Sequence, residues 1–204
     1  MYEFSVLMGL VDFVPVLFFG VSAFLLQQDL FNKMGRNAFA LFAAGTLNIF
    51  AAGFLKALWK TLYAAGICDF EALATMFLPV QSLGFLLAGM GIVLMLCVKR
   101  RNAAVLAAPP VFSGSMVFIM MMVLGLGSIC TVLSILAVKM KKKGAVILFV
   151  LAFLCSMGMG AMAGQDSTKA IVNWIEQGIN IVSQGCLAAG VMTLHRSGLK
   201  ELKL

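Results

Sequence analysis

Charged side chains are scarce in this sequence, and their scarcity excludes an ordinary soluble domain. Asp, Glu, Lys and Arg make up 11% of the 204 residues, whereas they make up about 25% of a soluble domain. Hydrophobic residues reach 62%, and the mean hydropathy is +1.05. The composition therefore predicts an all-α, multi-pass protein of the cell membrane, in which residues 1–204 form a single transmembrane helix bundle.

The residues that build catalytic and metal centres are also few. His195 is the only histidine, and the five cysteines include no Cys-x-x-Cys pair, so neither a metal ion nor a redox-active disulfide is expected. The glycine-rich fingerprints of nucleotide-binding sites are absent. The net charge of +7 comes from short basic clusters between apolar runs, where Lys and Arg orient helices and do not indicate nucleic-acid binding. We therefore expect no catalytic residue and no cofactor, and an enzyme is the least favoured function.

Apolar runs separated by short polar links predict where the chain crosses the bilayer. The interval 102–138 decides the count, because it lies between two basic clusters, Lys99–Arg101 and Lys139–Lys143. Lys and Arg concentrate in cytoplasmic loops, so the interval has to cross twice, with a turn at Ser113–Ser115, to leave both clusters on one side. The amino terminus is then outside and the carboxyl terminus cytoplasmic. Seven spans are expected, at about residues 4–26, 38–64, 73–98, 102–117, 118–138, 145–164 and 170–194; the alternative is six spans with a re-entrant segment at Pro109-Pro110.

The last predicted span carries polar side chains along one face, which a helix surrounded by lipid does not tolerate. At about 100° per residue, Asn173, Gln177, Asn180 and Gln184 fall on a narrow stripe, and Glu176 lies at its edge. We therefore expect this stripe to face the interior of the bundle.

Polar side chains of other spans lie at the same depth as this stripe. If there are seven spans, Asp12, Lys56 and Gln81 lie roughly 10 to 14 Å below the outer surface, as Glu176 does. Charged groups at such a depth usually pair or line a wet cavity, so we expect Lys56 to pair with Asp12 or Glu176. Trp59, one turn from Lys56, is expected to supply a flat wall for a ligand. The predicted substrate-binding residues are Asp12, Lys56, Trp59, Gln81, Glu176, Gln177 and Asn180.

Each of these side-chain types also has a purely structural interpretation. Lys56 and Lys60 can extend to the outer headgroups from the end of their helix. Asn, Gln and Ser side chains, including Gln184 and Ser183, can serve only to hold helices together. His195 is expected to cap a helix at the cytoplasmic interface.

The polar layer predicts a transporter, or the substrate-binding membrane subunit of one, for a small polar or zwitterionic solute. The alternative is a non-transporting sensor, assembly factor or scaffold whose polar layer only fixes helix packing. The expected partners are the lipid bilayer, a small polar solute, and a second copy of the chain or another subunit. No nucleic acid is expected.

An eight-residue segment of the third span is similar to one in the last. Residues 82–89, SLGFLLAG, match residues 183–190, SQGCLAAG, at five positions, and a basic segment follows each. If spans one to three and five to seven are parallel repeats joined by the fourth, the architecture resembles that of the SWEET and PQ-loop carriers of sugars and amino acids, or of certain vitamin carriers, whose sites lie near mid-membrane between repeats. The resemblance covers topology and this one segment; no Pro-Gln dipeptide is present, and no site residue is carried over from it.

Overall fold

The computed structural model describes residues 2–97, 115–162 and 169–202, and within these ranges every regular element is a helix. Four stretches are long and apolar enough to cross a membrane, namely Val6–Leu30, Arg36–Ala64, Ala72–Cys97 and Met116–Lys139, as expected for an integral membrane protein. The helices are α1 (Val6–Val11), α2 (Phe13–Leu30), α3 (Arg36–Ala64), α4 (Ala72–Thr75), α5 (Phe77–Cys97), α6 (Ser115–Lys139), α7 (Lys143–Met162) and α8 (Ala170–Arg196), followed by a short 3-10 helix at Leu199–Glu201.

The predicted spans differ from the helices mainly around α6. This helix is continuous from Ser115 to Lys139, so residues 115–117, which were expected to end the fourth span, begin the next helix instead. The rest of the predicted fourth span and the alternative Pro109-Pro110 segment lie outside the described residues. At the other end of the sequence, α2 continues to Leu30, about one turn beyond the predicted end at residue 26.

The helices α2, α3 and α5 pack side by side in alternating directions. Gln27 of α2 donates a hydrogen bond to Thr46 of α3 over 2.8 Å, while Asp12, at the start of α2, lies against Lys60, near the end of α3. Along α3 and α5, Gly45 lies against Gly84, and the positions near residue 38 lie against residue 91. The helix α3 is therefore antiparallel to both α2 and α5.

The helices α6, α7 and α8 form a second group with the same alternation. A turn at residues 140–142 joins α6 to α7, and Phe149 and Ser156 of α7 contact Gly190 and Ser183 of α8. The group closes against the first because α8 runs parallel to α1 and α2. Hydrogen bonds link residue 177 to residue 8 at one end and residue 195 to residue 29 at the other.

These directions place the described helices in a closed ring in which each packs on the next, in the order α2, α3, α5, α6, α7, α8. The helices α5 and α6 are parallel neighbours, so α5 ends at the opposite end of the bundle from the one at which α6 begins. We call the end at which α1 begins the Ser5 end, and the opposite end, which carries the α6–α7 turn, the Lys141 end.

The apolar core fills the half of the bundle nearer the Lys141 end. Its fully buried side chains come from every helix of the ring and from the 3-10 helix, and they include Leu30, Phe42, Ile92, Leu133, Phe149, Leu194 and Leu199. Dense apolar packing in this half leaves the polar side chains to gather nearer the Ser5 end.

The eight-residue similarity does not align equivalent faces of α5 and α8. If the two groups of helices were repeats, superposing one group on the other would place α5 on α8, α3 on α7 and α6 on α2. A residue of α5 that faces α3 would then correspond to a residue of α8 that faces α7. Gly84 faces α3, but the matched Gly185 faces Phe18 of α2; Gly89 faces α6, but the matched Gly190 faces α7. The matched residues therefore share small size, which permits close helix approach, and not a common position in a repeat.

At two positions, neighbouring helices approach so closely that only glycine fits between their backbones. A Cβ atom on Gly45 would lie 2.4 Å from the backbone nitrogen of Ala88, and one on Gly125 would lie 2.2 Å from the carbonyl oxygen of Phe85. Both distances are far below van der Waals contact. The pairs α3–α5 and α5–α6 are therefore held by close backbone packing.

We predict that Gly45→Ala destabilises the protein by about 1 to 3 kcal/mol, because the added methyl group forces α3 away from α5. The matched control is Gly178→Ala in α8, where an added Cβ meets nothing within 4 Å and where alanine is the better helix former. Thermal unfolding of the detergent-solubilised protein compares the two. An equal melting temperature for both variants would contradict the role assigned to Gly45.

Candidate functional site

The first membrane-length helix, Val6–Leu30, has an irregular turn at Asp12, between α1 and α2, where the backbone keeps right-handed helical dihedral angles. Pro15 lacks a backbone N–H and cannot donate to the carbonyl of Val11, so the helix loses a hydrogen bond at this turn. The same spacing recurs in the third stretch, where Met76 separates α4 from α5 three residues before Pro79. Both irregular turns lie toward the Ser5 end, at the depth of the polar side chains.

Asp12 forms an ion pair with Lys60, whereas the sequence predicted that Lys56 would pair with Asp12 or with Glu176. The Lys60 Nζ lies 2.9 Å from Asp12 Oδ2, with the two side chains 5% and 16% exposed. The Lys56 Nζ instead lies over the ring of Phe77, 4.1 Å from its centroid. Gly9 of α1 lies against Thr61 of the antiparallel α3, so Asp12, three residues further on, lies at the height of about residue 58, between the two lysines. The direction of each side chain therefore decides the partner: Lys60 faces Asp12, and Lys56 faces Phe77 of α5. Lys60 pairs inside the bundle and does not extend to headgroups.

A cavity of about 80 Å³ lies between α2, α3, α5, α7 and α8 on the Ser5 side of the core. A water molecule needs roughly 10 to 15 Å³ of such volume, so the cavity has room for a few waters or for a solute of a few heavy atoms. Two lysines and two carboxylates line it, and their formal charges cancel. Its polar lining consists of Asp12, Lys56, Lys60, Gln81, Asn173, Glu176, Gln177, Asn180 and Gln184.

Six of the seven predicted substrate-binding residues line this cavity together, and Trp59 does not. The indole of Trp59 donates a hydrogen bond from Nε1 to Asp69 Oδ1 over 3.2 Å and packs against the rings of Tyr2 and Phe4. At about 100° per residue, Trp59 is turned about 60° from Lys56, whereas Lys60 is turned about 40° to the other side. Trp59 therefore belongs to an aromatic cluster at the Ser5 end, and Lys60 takes the place in the cavity.

The polar stripe of α8 supplies one complete wall of the cavity. Asn173, Gln177, Asn180 and Gln184 all lie in it, together with Glu176. This outcome agrees with the helical periodicity read from the sequence.

Gln177 also links α8 to α1 through a hydrogen bond. The side chain is only 4% exposed, and its Nε2 donates a hydrogen bond to the carbonyl of Met8 over 2.9 Å. The Oε1 atoms of Gln177 and Gln184 are both buried, and neither has a hydrogen-bond partner among the described residues. Buried polar atoms are nearly always hydrogen-bonded, so two unsatisfied acceptors on one wall mark a place where a donor is expected.

Ser183 serves the structural role that the sequence allowed for it. Its Oγ donates to the carbonyl of Ala152 over 2.8 Å and lies 2.7 Å from the Oγ of Ser156. Both contacts join α8 to α7. Gln184, the next residue, instead lines the cavity, because a step of about 100° turns it to another face.

A second polar contact involving a buried carboxylate lies at the Lys141 end, and it was not predicted from the sequence. Asp29 is 1% exposed, and both of its carboxylate oxygens lie 3.0 Å from His195 Nδ1. The sequence placed Asp29 in a polar link because the end of α2 was predicted one turn too early. His195 was assigned to an interfacial cap, since nothing in the sequence indicates that α2 and α8 are parallel neighbours.

The carboxyl-terminal segment is held against this contact by Lys33. The Lys33 Nζ donates hydrogen bonds to the backbone carbonyls of Lys200 and Leu202. Burial lowers the pKa of the Lys33 ammonium, and the carboxylates of Asp29 and Glu201 oppose that change. With the side chain of Leu199 fully buried, the segment closes the Lys141 end of the bundle.

Comparison of the chain with protein-family models, with curated protein sequences and with solved structures finds no match. The function therefore has to be argued from the cavity and the helices around it.

We predict that Lys60→Met destabilises the protein by about 3 kcal/mol, because it leaves the Asp12 carboxylate buried without a partner. The double variant Asp12→Asn/Lys60→Met should recover most of that loss. The matched control, Lys56→Met one turn away, should cost about 1 kcal/mol, since Lys56 gives up a contact with an aromatic ring. Thermal unfolding of the parent protein, these three variants and the single variant Asp12→Asn measures the coupling between Asp12 and Lys60. Equal losses for both lysine variants would contradict the Asp12–Lys60 pair.

Proposed function

We propose that this protein is a transporter, or the substrate-binding membrane subunit of one, for a small polar or zwitterionic solute. The observation that carries the proposal is the cavity, in which two ammonium groups, two carboxylates and several amides face one another inside an apolar bundle. Ionisable side chains are costly within a membrane and most often mark a pathway or a binding site. A solute with charges of both signs can exchange partners with such a site without leaving a net charge in the apolar surroundings.

The positions of two prolines support the same proposal. Proline bends a membrane helix, and transporter sites are often formed where membrane helices depart from regular geometry. Here Asp12 and Phe77, which lie at the irregular turns before Pro15 and Pro79, both belong to the lining of the cavity.

We propose seven spans, because α5 and α6 are parallel. The helix α5 ends at the Lys141 end and α6 begins at the Ser5 end, which supports one further span between them. With seven spans, both groups of helices run in the same sequence of directions. Such an arrangement is the condition under which the sequence resembles the carriers built from parallel repeats.

The distribution of charge supports an orientation with the Lys141 end in the cytoplasm. Cytoplasmic ends of membrane helices are enriched in Lys and Arg. Among the described residues, the Ser5 end carries Glu3, Asp69, Glu71 and Lys169. The Lys141 end carries eight basic residues, Lys33, Arg36, Lys139, Lys141, Lys142, Lys143, Arg196 and Lys200, against the two acidic residues Asp29 and Glu201. The amino terminus is then outside the cell membrane, and the cavity opens from the outer half of the bilayer.

A non-transporting sensor, assembly factor or scaffold is the second candidate, and one observation favours it. Asp12 and Lys60 already neutralise each other at 2.9 Å, as side chains that only fix helix packing would. Glu176 distinguishes the two candidates, because no ion pair to its carboxylate is found among the described residues.

We predict that Glu176→Gln abolishes or alters the pH dependence of solute uptake while the folded protein survives, because the change removes a charge that is not needed for packing. The measurement is uptake into proteoliposomes, with thermal unfolding of the same preparation. Glu71→Gln, at an exposed position of the Ser5 end, is the matched control. Under the packing alternative, the melting temperature falls in Glu176→Gln and no uptake signal changes.

A further inference from the structure

The α8 wall of the cavity presents hydrogen-bond acceptors that its own surroundings leave unsatisfied. Gln177 and Gln184 are seven positions apart, so their side chains lie on the same face of α8, two turns from each other. Their Oε1 atoms are buried and unpartnered within the described part of the chain, and both side chains line the cavity. The carboxylate of Glu176 lies beside them on the same wall.

Aromatic rings complete the surroundings of these acceptors. Phe19, Phe50 and Phe77 line the same cavity, and the face of an aromatic ring attracts a cation. The ring of Phe77 already holds the Lys56 ammonium. Lys56, in turn, lies within electrostatic range of Glu176, Asp12 and Lys60, so positive and negative groups are both available to one bound molecule.

We propose that the Gln184 Oε1 binds the protonated primary amino group of the solute, that a carboxylate of the lining neutralises its charge, and that Lys56 binds the carboxylate of the same molecule. This inference rests on the proposed function and names its solute class, small primary amines and amino acids. A primary ammonium group carries three N–H donors and no acceptor, as the lysine side chain does. It can donate to the orphan Gln184 oxygen and still has two N–H groups for other acceptors of the lining, whereas a hydroxyl group has one donor and a carboxylate has none.

The size of the cavity narrows the class further. With about 80 Å³, it lies far below the roughly 300 to 1,000 Å³ of pockets that enclose drug-sized ligands. The smallest amino acid is therefore a better fit than one with a long side chain. A quaternary ammonium group is disfavoured for two reasons: it is bulkier than a primary ammonium group, and it has no N–H to donate.

The test is thermal unfolding of the full-length detergent-solubilised protein with a matched series of small solutes. The solutes are glycine, methylammonium, acetate and trimethylglycine, with sodium chloride and choline chloride as salt controls. A ligand that binds only the folded protein raises its melting temperature. We expect glycine to give the largest rise and methylammonium a smaller one, while acetate, trimethylglycine and both salts give none.

Substitution of Gln184 tests whether the rise in melting temperature depends on its side-chain oxygen. Gln184→Met keeps the length of the side chain and removes the acceptor, and we expect it to weaken glycine binding about tenfold or more, as expected for a hydrogen bond to a charged group. Gln28→Met, at an exposed position near the end of α2, is the control and should bind glycine as the parent protein does. If Gln184→Met fails to fold, Gln184→Asn, which withdraws the oxygen by one methylene group, should show the same weakening.

Three outcomes overturn the inference. Glycine binding that is unchanged in Gln184→Met would mean that water satisfies the orphan oxygens. A rise with sodium chloride alone that requires Gln184 would assign the site to an inorganic cation. No rise with glycine or methylammonium would exclude primary amines; uptake of another polar solute that still depends on Glu176 would then leave the proposed function standing, and its absence would remove both.

Discussion

The contact between the first and the last helix determines the rest of the arrangement. Gln177 bonds to the backbone of Met8 near the Ser5 end, and His195 contacts Asp29 at the Lys141 end. Two polar contacts so far apart fix the register and the rotation of α8 against α1 and α2. With that rotation fixed, the amide stripe of α8 faces the first helix and the lysines of α3. The cavity lies between these three elements.

The two halves of the bundle differ in packing and in polarity. Near the Lys141 end, apolar side chains from all six helices of the ring pack without exposure, and Gly91 of α5 packs against the backbone of α3. Nearer the Ser5 end, two helices have an irregular turn before a proline, and four ionisable side chains share a small polar space. Apolar packing therefore holds one half of the bundle together, and ionic and hydrogen-bonding side chains line a cavity in the other half.

Periodicity and depth were enough to predict most of the polar lining of the cavity. The stripe from Asn173 to Gln184 is a property of one helix, and its inward rotation follows from the cost of exposing amides to lipid. The common depth of Asp12, Lys56 and Gln81 follows from counting residues along each span at about 1.5 Å per residue. Both inferences use only the local geometry of a helix, which the sequence determines.

The errors come from quantities that depend on neighbouring helices. Depth alone does not say which of Lys56 and Lys60 pairs with Asp12, because Asp12 lies at a height between them and the direction of each lysine depends on contacts with neighbouring helices. Rotation decides between Trp59 and Lys60, which differ by about 100° on the helix, and it depends on contacts far along the chain. The Asp29–His195 contact needs α2 and α8 to be parallel neighbours, and no pattern within either segment encodes adjacency.

The ring of helices has a consequence for biosynthesis. Asp12 can pair with Lys60 as soon as the second membrane-length helix has been synthesised. Asp29 has no such early partner in His195, which is synthesised 166 residues later. Until α8 has been made, the Asp29 carboxylate needs water or another partner, because an unpaired charge is costly in the lipid interior. The amino-terminal helices are therefore expected to reach their final arrangement only after α8 docks.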